Sequence, residues 1–287
     1  METKELLKKV RKIEIKTRRL SNHIFSGEYH SHFKGRGMTF SEVRKYQFGD
    51  DIRDIDWNVT AKLNEPHIKI FEEERELTMM LLVDVSKSES FGTRTQQKRE
   101  MITELCAVLA FSAMQNNDKV GVIFFTDQIE LFIPPKKGKS HVLRIIRELI
   151  EFKPKGAGTN ISEALKFLSS VIKKRSIVFA LSDFQDQEYE KNLKIASSKH
   201  DLTALRIFDS AEEKLPDIGL VQFQNPETGT VGWVDTSSEA VRSDYEAAYN
   251  NLIVNFKSNC SHSGTDFLEL RVDRPYTKQL LEFFKRR

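Results

Sequence analysis

From Leu77 onward, apolar runs with no polar face alternate with stretches whose apolar residues recur at helical spacing. That alternation constrains the fold more than any other feature of the chain. LTMMLLVDV (77–85), KVGVIFF (119–125) and RSIVFALSD (175–183) are continuous apolar runs, as expected of strands covered on both faces. Between them, Met101, Leu105, Val108 and Leu109 repeat with helical period, and HVLRIIRELIEF, ISEALKFLSSVIKK and a segment near 188–198 do the same. DLTALRIFD and DFLELRV add strands, and helices are expected over about 237–257 and from Tyr276. QIELFIPP reads as a short antiparallel edge strand ended by its prolines, and GLVQFQNPETGTVGWVDT as an inserted β-hairpin. The expected fold class is α/β: an open, mostly parallel sheet with helices on both faces.

Residues 1–76 differ in character. An N-terminal helical segment carries eight Lys/Arg against three Glu over 1–19, and residues 20–76 read as short strands and turns. The expected organisation is an N-terminal appendage over 1–76 and the α/β domain over 77–287. The 45 Lys and Arg nearly balance 42 Asp and Glu, which argues against a nucleic-acid binder built on a concentrated positive face. Two cysteines without a CxxC pair exclude a disulfide framework and a cysteine zinc site. No stretch has the length of a membrane span or the apolar core of a leader peptide, so a cytoplasmic location is expected. The basic N-terminal helix is expected to pack on its own domain.

In open α/β sheets, ligands bind beyond the carboxyl ends of the strands. Three segments fall there: Asp84-Val85-Ser86-Lys87-Ser88, Lys155-Gly156-Ala157-Gly158-Thr159-Asn160 and Ser182-Asp183. Together they offer carboxylates and hydroxyls, the oxygen donors that a hard divalent cation prefers. Ser86, Ser88 and Thr159 would supply neutral donors, and Asp84 and Asp183 would hold ordered waters. The expected ion is Mg²⁺, with Mn²⁺ or Ca²⁺ as alternatives. Two carboxylates cancel its charge and leave it able to accept a carboxylate from another molecule. Lys87, Glu89 and Asn160 flank the ion and are the expected partner-facing residues. The site is expected at a surface edge, so that Asp84→Ala would spare the fold.

LLVDVSKS, GAGTN and ALSDF, in that order, resemble the metal-ion-dependent adhesion site of von Willebrand factor A domains. GRGMTFSEVRKYQFGDDIRDIDWNVTAK upstream, with LPDIGL, VDTSS and DFLELRVDRPYTKQLLEFFKRR downstream, resembles the bacterial domain-of-unknown-function-58 family over about residues 20–287. The resemblance implies a von Willebrand factor A-like domain that works with a MoxR-type AAA+ ATPase, or its client, in chaperone-like complex assembly. The implied role is a non-catalytic protein-interaction adaptor. Glu89 stands where such loops often carry methionine, and Ala157 interrupts a glycine pair; neither removes an oxygen donor.

Other constellations carry less. Asp50, Asp51, Asp54 and Asp56 invite a calcium loop, but Val59 sits where the sharp turn needs glycine and Lys62 occupies a ligand position. Those carboxylates are expected to bind Arg44, Arg53 and amides around Trp57. Gly138-Lys139-Ser140 lacks the first P-loop glycine, since Ile133 is there. His23, His30 and His32 read as solvent-facing, Cys106 as a buried helix residue, and Cys260 beside His262 as incidental. The alternative function is a metal-dependent hydrolase at the same site, with Lys87 and Glu89 nearby but no histidine in the three loops.

Overall fold

The computed structural model describes residues 39–72, 77–86, 98–224 and 230–286, which fall into two compact units, one within His30–Leu77 and one covering the stretch from Thr78. The expected N-terminal helix, the three histidines, Lys87, Ser88 and Glu89 lie outside the described residues.

In the smaller unit, β1 (Thr39–Lys45) pairs antiparallel with β2 (His67–Glu72), with a bulge between Phe40 and Glu42. The connection holds a 3₁₀ turn, Ile52–Asp54, and a short helix, α1 (Trp57–Leu63). Sequence periodicity does not show α1, because seven residues give barely two turns. Its cap is legible: Asp56 accepts from the Asn58 amide at 3.0 Å and the Val59 amide at 3.3 Å. Asp50 grips the Arg44 guanidinium through both oxygens, at 2.7 and 2.8 Å, and Asp51 accepts from the Arg53 amide at 2.9 Å. Asp50, Asp51 and Asp56 are therefore tied up as turn and cap chemistry, as the glycine-less loop implied.

The larger unit is a six-stranded sheet. In chain order its elements are β3 (Thr78–Asp84), α2 (Lys98–Gln115), β4 (Lys119–Phe125), β5 (Ile129–Lys136), α3 (Lys139–Glu151), α4 (Ile161–Val171), β6 (Ile177–Ser182), α5 (Glu190–Lys199) and β7 (Asp201–Phe208). The hairpin β8 (Leu220–Gln224) and β9 (Val231–Asp235), α6 (Glu239–Ser263), β10 (Asp266–Arg271) and α7 (Thr277–Arg286) complete it. Strand order is β10-β7-β6-β3-β4-β5, parallel throughout except for the antiparallel β4–β5 pair. The expected open, mostly parallel α/β sheet is the fold. One face packs Met80, Leu82, Ile123, Val178 and Ala204 under α4, α5 and α6. The other carries α2 and α3, and Phe284 of α7 meets Phe179 edge to face at 6.0 Å.

Two boundaries differ from expectation. β5 runs through Pro134 and Pro135 to Lys136, because it is an edge strand and a bulge relative to β4 absorbs residues that cannot donate. α6 extends to Ser263, where Gly264 adopts a left-handed φ of 65° and closes the helix. At the bulge, a Cβ on Gly121 would lie 2.7 Å from Met80 Sδ, 2.9 Å from Pro135 N and 3.0 Å from Ile133 O. Two of those atoms are backbone, so Gly121→Ala must push β5 outward. The expected loss is about 1–3 kcal/mol in urea unfolding; a neutral result would mean that the edge strand yields freely.

Among the described residues, no helix is long and apolar enough to cross a membrane.

Candidate metal centre

β3 and β6 are neighbours whose connections leave in opposite directions: β3 leads to α2 on one face, β6 to α5 on the other. This is the topological switch point, where the strand ends leave a crevice. The parallel register pairs Val83 with Leu181, so Asp84 and Ser182 end the two strands side by side. Ser182 Oγ donates to Asp84 Oδ2 at 2.7 Å, and the Ser86 amide donates to Asp84 Oδ1 at 2.9 Å.

Asp84 is 1% exposed, not at a surface edge as the sequence suggested. The strand ends of β4 and β6 enclose it, and Val85 N donates to Phe125 O at 2.9 Å. Burial, then the nearby charge of Asp183, push the Asp84 carboxyl up to about 7, against the bonds from Ser86 and Ser182 that favour its charged form. Excess negative charge is gathered here.

Asp183 follows directly, also 1% exposed, and Oδ1 accepts from the Gln185 amide at 3.2 Å. The turn that presents it is unusual, since Phe184 has a φ of 57°. A left-handed residue other than glycine costs about 1–2 kcal/mol. Here the Phe184 ring is buried 4.8 Å from Phe256 and 6.0 Å from Tyr189, and that burial offsets the strain.

The third segment is held from beneath by Glu130, which sequence reasoning missed. Its Oε1 accepts from the Gly156 amide at 2.6 Å, the Lys155 amide at 3.0 Å and Thr126 Oγ1 at 3.0 Å. Burial alone would raise its pKa, but these donors together hold it below the ordinary value. Asn160 N donates to Thr126 O at 2.9 Å, fixing the other end of the loop. Between those clamps lies Thr159, whose Oγ1 is buried with no hydrogen-bond partner among the described residues. Asn160 itself caps α4, its Oδ1 accepting from the Glu163 amide at 2.9 Å, so the structure gives this expected partner-facing residue a local task. Glu130→Ala is expected to weaken Mg²⁺ affinity about ten-fold or more by loosening this loop. Calorimetric titration reads it, and unchanged affinity would show that the loop holds itself.

Two further charged groups complete the centre. Lys98, at the start of α2, is 0% exposed; its Nζ lies 3.0 Å from Asp183 Oδ2 and 2.5 Å from Glu212 Oε1. Glu212 ends the 3₁₀ turn Ser210–Glu212 after β7 and belongs to a capping box with Asp209. Burial is the largest influence on Glu212 and raises its pKa in spite of Lys98. Glu212 was within reach of the strand-end rule, because Asp209–Glu213 follows a buried strand as Asp84 and Asp183 do.

The structure thus brings together Asp84, Ser86 and Asp183 at the switch point, with the Thr159 loop braced against Thr126 and Glu130; Ser88 lies outside the described residues. The donor set suits a hard cation: an unpartnered buried hydroxyl, a second hydroxyl from Ser86, and two carboxylates whose mutual repulsion a cation relieves. Among the described residues, no group of three or more His, Cys, Asp or Glu side chains forms a metal cage, so a centre here depends on hydroxyls.

The chain is 26% identical to the uncharacterized protein Rv1480 of Mycobacterium tuberculosis over 277 residues, which covers 96% of this chain and 87% of that protein. Among solved structures it is similar to the conserved hypothetical protein BatB from Bacteroides thetaiotaomicron (TM-score 0.49, 16% identity, 73% of this chain and 98% of that one). It is also similar to the SpRpn10 VWA domain (TM-score 0.41, 10% identity, 72% of this chain and 94% of that one). Residues 42–252 match the family described as protein of unknown function DUF58, and the chain belongs to that family.

Proposed function

We propose that this chain is a non-catalytic, Mg²⁺-dependent protein-interaction adaptor that grips an acidic side chain of a partner through Asp84, Ser86, Ser88, Thr159 and Asp183. The observations that carry the reading are the two buried carboxylates at the switch point and the buried, unpartnered Thr159 hydroxyl in the loop that Thr126 and Glu130 brace. When bound, Mg²⁺ would supply an open coordination position for the partner's carboxylate. The protein's own part is to orient the donors: Ser182 and the Ser86 amide fix Asp84, the Phe184 turn presents Asp183, and Glu130 holds the Thr159 loop. Mn²⁺ or Ca²⁺ would fit the same oxygen set. The adaptor reading is preferred to hydrolysis because both carboxylates are already engaged, Asp84 by serines and Asp183 by Lys98.

The proposed partner is a MoxR-type AAA+ ATPase or its client, in the cytoplasm, and the role is complex assembly. The test is capture from cell extract by wild-type and Asp84→Ala protein, each with Mg²⁺ and with EDTA. Retention of an AAA+ ATPase by wild type with Mg²⁺ alone is the expected result. Retention indifferent to metal and mutation would overturn the reading.

A further inference from the structure

We infer that Lys98 is a built-in cation of this centre that sets its charge for a divalent ion. The inference rests on the metal reading above and goes beyond it, because it assigns selectivity to a residue that is not itself a ligand.

Lys98 is fully buried between two carboxylates that follow neighbouring strands: Asp183, at the end of β6, and Glu212, after β7. Such an arrangement is poor as a stabilising device, since well-packed apolar residues would do as well or better. It is also rigid. Glu212 Oε2 accepts from the Asp209 amide at 3.2 Å, and its backbone carbonyl accepts from Tyr245 OH of α6 at 3.0 Å. The ammonium therefore has a fixed place beside Asp183.

The charges explain why a cation is kept there. Among the described residues, the ligands Asp84 and Asp183 must be ionised when the centre is loaded, and Glu212, paired with the Lys98 ammonium, brings a third negative charge. Lys98 returns one. The remaining two negative charges are those that a divalent ion cancels, in an enclosed setting where uncompensated charge is costly. Without Lys98 the same described groups would carry three, the complement of a trivalent ion. Glu212, for its part, anchors the ammonium without adding a ligand.

The experiment compares Mn²⁺ and Tb³⁺ affinities by calorimetry and Tb³⁺ luminescence in the full chain. Lys98→Met is expected to raise the preference for Tb³⁺ over Mn²⁺ by about ten-fold or more. Lys98→Met/Glu212→Gln, which restores the charge balance without the ammonium, is expected to return the ratio to within about three-fold of wild type. Glu212→Gln alone removes a negative charge and moves the ratio the other way, and Lys98→Arg leaves it unchanged. The single glutamine variant keeps the question open to refutation should Lys98→Met fail to fold. If wild type binds Mn²⁺ in a manner lost in Asp84→Ala, while the Lys98 and Glu212 variants keep the wild-type ratio, the inference is overturned and the metal reading stands. If wild type binds neither ion, both fall together.

Discussion

Asp84→Asn will lose measurable Mg²⁺ binding and, in metal-free buffer, will be more stable than wild type above neutral pH. Both effects follow from one carboxyl. Its side chain ends β3 at the switch point, buried and facing the charge of Asp183. An asparagine keeps the shape, accepts from the Ser86 amide and donates to Ser182, so the fold has no reason to change. The pH dependence has a definite sense. An ordinary unfolded aspartate ionises near about 4, whereas Asp84 does so at about 7 in the folded chain. Between those values the unfolded state has released its proton and the folded state still holds it. Wild type therefore loses stability, relative to the asparagine variant, as pH rises from about 4 to about 7, and the deficit levels off above that. Mg²⁺ should remove the deficit in wild type and do nothing in the variant, with affinity rising through the same window as proton and metal compete. Urea unfolding of the two proteins at pH 5 and pH 8, with and without Mg²⁺, checks this. Parallel pH profiles would mean that Asp84 is not under electrostatic strain.

The second large effect concerns stability. Lys98→Met removes the ammonium bound to Asp183 and Glu212 and leaves the first carboxylate buried and the second partly buried. Breaking a buried pair from one side typically costs about 3–5 kcal/mol, far more than the pair contributes relative to an apolar replacement. Part of that cost is relieved by protonation, since burial already raises the Glu212 carboxyl. The loss should accordingly be larger at pH 8 than at pH 5, and Glu212→Gln in the same chain should recover part of it. Equilibrium unfolding in EDTA measures the difference. A loss below about 1 kcal/mol, the range of exposed ion pairs, would show that the ammonium is not held as the geometry indicates.

These effects mark where sequence reading succeeds and where it stops. The sheet was legible because strands covered on both faces cannot alternate: TMMLLVD, KVGVIFF and IVFALS have no polar face to show. Their order placed Asp84, Thr159 and Asp183 near strand and helix ends, and the switch point then followed from topology. What escaped was tertiary. Lys98 and Asp183 are 85 positions apart, and a lysine preceding an apolar helix reads as solvated when nothing reveals the carboxylates above it. Glu130 looks like the polar face of an edge strand, yet its carboxylate gathers amides from a loop 25 and 26 residues on. The depth of the site was misjudged for the same reason, because periodicity locates a strand end but not how deeply the neighbouring strand ends enclose it. The left-handed backbone at Phe184 has no sequence signal, since phenylalanine is among the residues least expected there. In the smaller unit, Asp50, Asp51 and Asp56 were correctly read as turn chemistry, but α1 was too short to announce itself.

In the proposed function the switch point holds a divalent cation. The most direct measurement is an anomalous difference map from crystals of wild-type protein grown with Mn²⁺ at a concentration shown by calorimetry to saturate it. One strong peak bounded by Asp84, Ser86, Thr159 and Asp183, absent in Asp84→Asn crystals, is the expected result. A peak elsewhere, or none at that position with the metal saturating, would contradict it.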